Sequence, residues 1–171
     1  VEKGIEKISK VLMPVLLVLM IIIAGYALTM PGSMQGLEYY LKPDFSKFSM
    51  ATVLGAMGQL FYSMSLAMGI MITYGSYMKK SVNIEKSVRH ISLVDTGVAI
   101  LAGLMIFPAA YSVGVNPDSG PSLIFITLPN VFQQAFAGMP WLGYIISILF
   151  YALLALAALT STISMHEIGT A

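Results

Sequence analysis

Four long stretches of apolar residues constrain the fold of this chain more than any other feature. They cover residues 11–29, 50–78, 88–113 and 142–165, and a helix of about 20 residues crosses the roughly 30 Å hydrocarbon core of a bilayer. Only 10% of the 171 residues are charged, so too little polar surface is left to cover these stretches in water. We therefore predict an all-α membrane protein with four transmembrane helices in contact with membrane lipid.

Composition excludes several other classes of protein. The chain has no cysteine, which rules out a disulfide framework and a thiolate metal centre. A net charge of +1 does not provide the basic face that nucleic-acid binding requires, so we predict no nucleic-acid partner. The 13 methionines are accompanied by only 2 histidines, and we interpret them as packing groups rather than ligands of a soft metal.

Basic residues predict the orientation of the chain in the cell membrane. They concentrate before the first stretch and between the second and third, at Lys3, Lys7, Lys10, Lys79, Lys80, Lys86 and Arg89. The alternate loops carry Lys42 and Lys47. Because cytoplasmic loops are enriched in basic residues, we expect a multi-pass protein with both ends in the cytoplasm. The chain begins without Met and ends directly after an apolar run, so we expect a fragment of a longer protein.

Two connecting segments are predicted to differ in character. Residues 116–140 contain apolar pieces that are separated by prolines and glycines and are too short to span a membrane. We expect them to form short helices in an outward loop that folds back against the protein as a lid. Residues 33–49 predict a short surface loop with one helical turn.

The second apolar stretch is longer than one membrane crossing requires. It contains Gly69, preceded by the hydroxyl-bearing Ser63 and Ser65. This composition favours a local break whose freed backbone groups face a ligand, as in the discontinuous helices of transporters. The alternative is that small residues only allow neighbouring helices to approach closely.

The third stretch contains one carboxylate, Asp95, in an otherwise apolar sequence. A carboxylate at membrane depth is costly unless it is paired, hydrated or bound to a cation, so we expect a positive group close to it. The alternative is that Asp95 lies near the cytoplasmic end of the helix and pairs with Arg89.

The fourth stretch ends in hydroxyl-bearing residues. The Ala157 carbonyl and the Thr160 and Ser161 hydroxyls are hard oxygen ligands that suit a small cation. Serine and threonine in membrane helices also commonly bond back to the carbonyl one turn earlier. A hydrolase would have to use Ser161, His166 and Asp95, whose spacing does not indicate a triad. We therefore predict that the protein is not an enzyme.

Segments along the whole chain resemble the neurotransmitter:sodium symporters, in the order found in that family. Residues 58–69 (GQLFYSMSLAMG) and 72–77 (ITYGSY) resemble the sixth transmembrane helix, and residues 157–161 (AALTS) resemble the eighth. Residues 42–45 (KPDF) and 125–129 (FITLP) are similar to the third and fourth extracellular loops. The resemblance implies the fifth to eighth helices of a LeuT-like inverted-repeat transporter, with one helix discontinuous and the missing helices of the parent chain as partners.

The resemblance also implies which residues bind. Ser63 and Asp95 match ligands of a first sodium site, and the Ala157 carbonyl with the Thr160 and Ser161 hydroxyls matches a second. The positions that line the substrate pocket are Tyr62, Ser65, Met68, Ser161 and Met165. A pocket bounded by methionines implies an apolar amino acid as substrate.

The chloride site of chloride-dependent members is incomplete in this sequence. Gln59 and Ser63 match it, but Ala99 lacks the hydroxyl of the site's second serine, and Asp95 stands where many relatives have Asn. A fixed carboxylate in place of the anion predicts chloride independence. Ala67 stands where the family commonly has Gly, which leaves open how far the helix unwinds.

These residues predict sodium-coupled symport of an apolar amino acid by alternating access. Sodium ions are the coupling ions, and no organic cofactor is expected. The alternative is a non-transporting structural membrane fragment, because the chain lacks the first helix of the family, which contributes to the substrate and sodium sites.

Overall fold

The computed structural model describes residues 2–118, 120, 121 and 123–170, and within them it contains helices and no strand. The α-helices are α1 (Glu2–Thr29), α2 (Ser33–Leu41), α3 (Met50–Ser63), α4 (Ile70–Tyr77), α5 (Ile84–Ser112), α6 (Leu128–Ala135) and α7 (Pro140–Thr170). A 3-10 turn covers Phe45–Lys47 and a π-helical turn covers Leu123–Thr127. Ser119 and Ser122 of the predicted outward loop, and the side chains of Lys3 and Lys7, lie outside the described residues. The all-α prediction is confirmed.

The helices long and apolar enough to cross a membrane correspond to three of the four predicted stretches. In the described part of the chain they are Lys10–Thr29, Ile84–Ser112 and Pro140–Gly169. The remaining predicted span, residues 50–78, is divided between α3 and α4, of 14 and 8 residues. Neither piece alone reaches the length of a membrane-spanning helix, so a count of four spans holds only if the two pieces cross together.

Residue contacts divide the chain into two compact units. The first unit comprises Val1–Pro43 and Val98–Ala157, and the second comprises Asp44–Gly97 and Ala158–Ala171. The second unit therefore contains the broken helix, the first turns of α5 and the end of α7. Ala157, a predicted sodium ligand, and Ala99, a chloride-site position that is predicted not to bind chloride, belong to the first unit. The other residues of the predicted sites belong to the second unit.

The first unit has a core of buried apolar side chains from α1, α5, α6 and α7. Ala27, Ala109 and Leu128 are fully buried there, together with the neighbours Met20, Ile23, Ala24, Met30, Met105, Val131, Phe132 and Phe150. Alanines bring helix backbones close, while the larger side chains fill the remaining space. Burial of this apolar surface stabilises the unit.

The apolar loop contacts α7 within its own unit. The Tyr151 hydroxyl of α7 donates to the Ile124 carbonyl at 2.8 Å, and the Tyr151 ring stacks on Phe125 with centroids 5.9 Å apart. Phe125 and Ile126 are exposed, whereas Thr127 and Leu128, which follow them, are 0% exposed. The short helices of this loop are therefore part of the packed interior of the first unit.

The segment before the broken helix contains more helix than we predicted. Residues 33–41 form the nine-residue helix α2 instead of a single turn, and this helix packs closely on α5. A Cβ added at Gly36 would meet the Phe107 carbonyl, and one added at Gly103 would overlap the Tyr40 ring. The Tyr40 ring also stacks on Phe107 at 5.1 Å. The close approach at two glycines stabilises a helix that the local sequence alone does not indicate.

Candidate functional site

The broken helix is interrupted by a six-residue segment, residues 64–69, which we call the break. α3 ends in a Schellman motif, in which the Leu66 N–H donates to the Phe61 carbonyl at 2.9 Å and the Ser65 N–H to the Tyr62 carbonyl at 3.1 Å. Ser65 occupies the left-handed position of this motif, with φ of 53°. The break is thus a defined helix end rather than a weakened stretch of helix.

Two further left-handed residues carry the chain from Ser65 to the start of α4. Ala67 has φ of 63° and Gly69, the N-cap of α4, has φ of 80°. Glycine adopts this conformation without penalty, whereas the left-handed conformation of an L-residue such as alanine has a conformational energy about 1–2 kcal/mol higher. The sequence left open how far the helix unwinds at Ala67, and the structure shows that it unwinds through this residue despite its side chain.

Backbone amides in the break are left available for a ligand. Within the described part of the chain, no backbone acceptor pairs with the N–H groups of Ala67, Met68 or Gly69. Ala67 is exposed, and Met68 and Gly69 are half-buried. Backbone amides that lack a partner at membrane depth are tolerated where they line a cavity or face a bound group. Ser65 and Met68, two predicted substrate-pocket residues, lie in this segment and are half-buried.

Ser63 and Asp95, the two residues that the resemblance assigns to a first sodium site, are in direct contact. The Ser63 hydroxyl, at the end of α3, donates to Asp95 Oδ2 of α5 at 2.7 Å. Among the described side chains, no lysine or arginine pairs with Asp95, and the alternative pairing with Arg89 does not occur. A half-buried carboxylate that one hydroxyl supports keeps a strong preference for a cation.

The part of α7 that belongs to the second unit contains Thr160, Ser161 and Met165. Ala157 lies one turn before Thr160 and Ser161. The alternative of bonding back along the helix is found at two neighbours. Thr162 donates to the Leu159 carbonyl at 2.8 Å and Ser164 to the Thr160 carbonyl at 2.9 Å. Thr160 is half-buried and Ser161 is exposed.

The remaining predicted positions lie next to these groups in the sequence and are largely exposed. Tyr62 precedes Ser63 and is 63% exposed, and Met165 is 46% exposed. Gln59 lies one turn before Ser63 on α3, and Ala99 one turn after Asp95 on α5. Ala99, the position that the resemblance aligns with a chloride-site serine, has a methyl group as its side chain.

Sequence analysis did not assign a role to the residues that connect α4 to α7. The Tyr74 hydroxyl donates to Ser164 Oγ at 2.7 Å, and the Tyr77 hydroxyl to Glu167 Oε1 at 3.2 Å. In both helices the two residues are three positions apart, so each pair lies on one helix face. The same three-residue spacing of two tyrosines in α4 and two polar residues in α7 is the sequence pattern that indicates this contact.

The donor set of the candidate site consists of carboxylate, hydroxyl and backbone oxygens, which are the ligands of hard cations such as sodium. No cluster of three or more His, Cys, Asp or Glu occurs among the described residues. A separate cavity of about 340 Å³ lies in the first unit between α6 and the start of α7, lined by residues such as Phe132, Gln133 and Tyr144. It includes none of the predicted site residues.

Comparison with known proteins places the chain in a family of sodium-dependent transporters. The profile of the Sodium:neurotransmitter symporter family matches residues 1–171. The chain therefore belongs to this family, which is a family of transporters and not of enzymes. The family resemblance drawn from the sequence is confirmed.

Individual relatives and one solved structure agree with this assignment. The chain is 42% identical over 169 residues to the uncharacterized sodium-dependent transporter YhdH of Bacillus subtilis, with 98% of this chain and 36% of the relative covered. It is 39% identical over 165 residues to an uncharacterized sodium-dependent transporter of Haemophilus influenzae, with 96% and 35% covered. The crystal structure of MhsT in complex with L-phenylalanine shares the fold, with a TM-score of 0.86, 41% identity, and 93% of this chain and 35% of that chain covered. The chain thus spans about a third of the length of these proteins.

Proposed function

We propose that this chain is the part of a sodium-coupled amino-acid symporter that carries half of the substrate site and some of the ligands of two sodium sites. The observation that carries the proposal is the Ser63–Asp95 hydrogen bond of 2.7 Å directly before the break. It places a carboxylate and a hydroxyl beside backbone that is released from helical hydrogen bonding. Family membership supplies sodium as the coupling ion.

Asp95 and Ser63 provide the first sodium with one negative charge and one neutral oxygen. The carboxylate lowers the free energy of a cation in surroundings where water is scarce, and the Ser63 hydroxyl orients the carboxylate. The hydroxyls of Thr160 and Ser161 provide neutral oxygens to the second sodium, with the Ala157 carbonyl as the third ligand implied by the resemblance. Sodium binding at both sites organises the broken helix before the substrate site opens to the opposite side of the membrane.

The substrate is an amino acid with an apolar side chain. The unpaired N–H groups of Ala67, Met68 and Gly69 are suited to bind a substrate carboxylate, whereas Met68 and Met165 present polarizable apolar surface to a side chain. Tyr62 closes over the substrate and Ser65 lines the pocket. MhsT, a protein of the same fold, was crystallised in complex with L-phenylalanine, which is an amino acid of this kind.

Exposed site residues are explained by the length of the chain relative to its relatives. Tyr62, at 63% exposed, has no reason to face lipid or water in a finished binding site. We propose that other helices of the transporter cover this face and complete both sites. The orientation has the loop of α6 outside and the segment between α4 and α5 in the cytoplasm.

The test uses the complete transporter, purified and reconstituted into liposomes with an inward sodium gradient. We expect uptake of tritiated L-phenylalanine or L-leucine, little uptake of L-aspartate, and loss of uptake when potassium replaces sodium. Asp95→Ala is expected to reduce uptake at least about tenfold, equivalent to ~1.4 kcal/mol, whereas Asp118→Ala, which removes an exposed loop carboxylate, is the matched control. Uptake by Asp95→Ala at the wild-type rate and sodium dependence would contradict the assigned first site.

A further inference from the structure

The second half of the broken helix is held to the end of α7 by two hydrogen bonds within the second unit. Tyr74 of α4 donates to Ser164, and Tyr77 donates to Glu167. The shorter of these bonds, at 2.7 Å, is the one that involves Ser164. This residue lies one turn beyond Thr160, whose hydroxyl is a proposed sodium ligand.

Ser164 passes the interaction on to Thr160. Its hydroxyl accepts from Tyr74 and at the same time donates to the Thr160 carbonyl at 2.9 Å. A hydroxyl that accepts one bond becomes a better donor in the next, so the chain from Tyr74 to the Thr160 carbonyl is stronger than two isolated bonds. A serine that bonds back to the preceding turn also bends the helix locally.

We propose that Tyr74 and Ser164 are positioning residues for the second sodium site, a role that rests on the function proposed above. Neither residue contacts the ion. Tyr74 fixes the rotamer of Ser164, Ser164 fixes the carbonyl and local bend of Thr160, and the bend sets the direction of the Thr160 hydroxyl. The site consequently reaches full sodium affinity only when α4 lies where Tyr74 can reach Ser164, which links the broken helix to the ion.

The positioning role is separable from packing because each hydroxyl can be removed while most of the side chain is kept. Tyr74→Phe deletes one oxygen and retains the ring, and Ser164→Ala deletes the hydroxyl that joins the two bonds. Ser164→Thr retains a hydroxyl at the same place. Thr162→Ala removes a hydroxyl that bonds back to the Leu159 carbonyl on the same helix, and Tyr144→Phe removes the hydroxyl of a tyrosine that is 65% exposed.

The experiment measures binding of L-phenylalanine to the complete purified transporter as a function of sodium concentration, followed by uptake in liposomes. Tyr74→Phe and Ser164→Ala are each expected to raise the half-saturating sodium concentration about threefold to tenfold, the range that corresponds to one hydrogen bond. The rate at saturating sodium is expected to stay near the wild-type value. Ser164→Thr should remain within about twofold of wild type, as should both control variants.

A double variant distinguishes a connected chain from two separate contributions. Tyr74→Phe combined with Ser164→Ala is expected to show the same sodium dependence as the more impaired single variant, because both changes break the same chain. Fold-changes that multiply in the double variant, or sodium curves of both single variants that coincide with wild type, would overturn the inference. Wild-type binding that is independent of sodium would instead overturn the proposed function itself.

Discussion

Ser63 and Asp95 lie 32 positions apart in the sequence and are joined by a hydrogen bond of 2.7 Å between the end of α3 and α5. The bond connects the exact point at which helical structure stops to the one carboxylate of the third apolar stretch. Ser63 therefore has two functions in the proposed site, as a neutral oxygen for the cation and as the group that orients the carboxylate. The predictions below concern the complete transporter unless another protein is named.

Removal of the Ser63 hydroxyl should weaken the first sodium site without abolishing it. Ser63→Ala leaves the Asp95 charge in place but deletes its hydrogen-bond donor, so we expect the half-saturating sodium concentration for uptake to rise about threefold to tenfold. Ser76→Ala is the matched control, because the Ser76 hydroxyl bonds only to the Thr73 carbonyl within the described part of the broken helix. An unchanged sodium curve for Ser63→Ala would remove Ser63 from the site.

Chloride dependence should follow the charge at residue 95 and the hydroxyl at residue 99. Wild-type uptake is expected to be the same in chloride and in gluconate, because the Asp95 carboxylate supplies the negative charge. Asp95→Asn combined with Ala99→Ser removes that charge and adds the missing hydroxyl, and uptake should then be stimulated by chloride. Wild-type uptake that fails in gluconate would show that the carboxylate does not replace the anion.

The left-handed conformation of Ala67 predicts that the stability of the protein depends on the residue type at position 67, with valine less stable than alanine and glycine at least as stable. A β-branched residue is far less tolerant of φ near 63°, so Ala67→Val should lower the free energy of unfolding by about 2 kcal/mol. Ala67→Gly should be as stable as wild type or slightly more stable. Thermal unfolding in detergent measures both, with Ala56→Val in the regular part of α3 as the control. Equal effects of valine at residues 56 and 67 would contradict the left-handed assignment.

The contact between Tyr40 and Gly103 predicts that a single methyl group at residue 103 is destabilising. Gly103→Ala places a Cβ within the Tyr40 ring, and overpacking of this kind costs about 1–3 kcal/mol. Gly97→Ala on the same helix has nothing within 4 Å of the added Cβ and should be neutral or slightly stabilising. Comparison of the two melting temperatures tests the packing of α2 on α5, and a result in which they are equal would rule it out.

Orientation can be tested by labelling, since the chain contains no cysteine. In a complete transporter without other cysteines, Lys47→Cys and Lys80→Cys introduce single exposed thiols on the segments before α3 and after α4. A membrane-impermeant maleimide applied to intact cells should label residue 47 and not residue 80, and both after permeabilisation. Labelling of residue 80 in intact cells would reverse the proposed orientation.

Much of the site was predictable because its residue types are unusual for their surroundings. Glycine and serine in an overlong apolar stretch indicated the break, and the family resemblance located it between Ser65 and Gly69. An isolated carboxylate indicated Asp95, but composition could not identify Ser63 as its partner, since that contact depends on how two helices pack. The same limit applies to α2, in which Tyr40 packs against Gly103 more than 60 positions away. It also applies to the Tyr74–Ser164 bond, which joins two residues that look ordinary in their own helices.

In the proposed transport cycle, Asp95 also determines how much electrical work accompanies each turnover. A bound chloride ion would cross the membrane with the sodium ions and cancel the charge of one of them. A side-chain carboxylate instead remains with the protein. A carrier that is independent of chloride in this way moves one more net positive charge per cycle. At about 2.3 kcal/mol per charge for each 100 mV, the membrane voltage then drives accumulation of the amino acid more strongly than in a chloride-coupled relative with the same sodium stoichiometry.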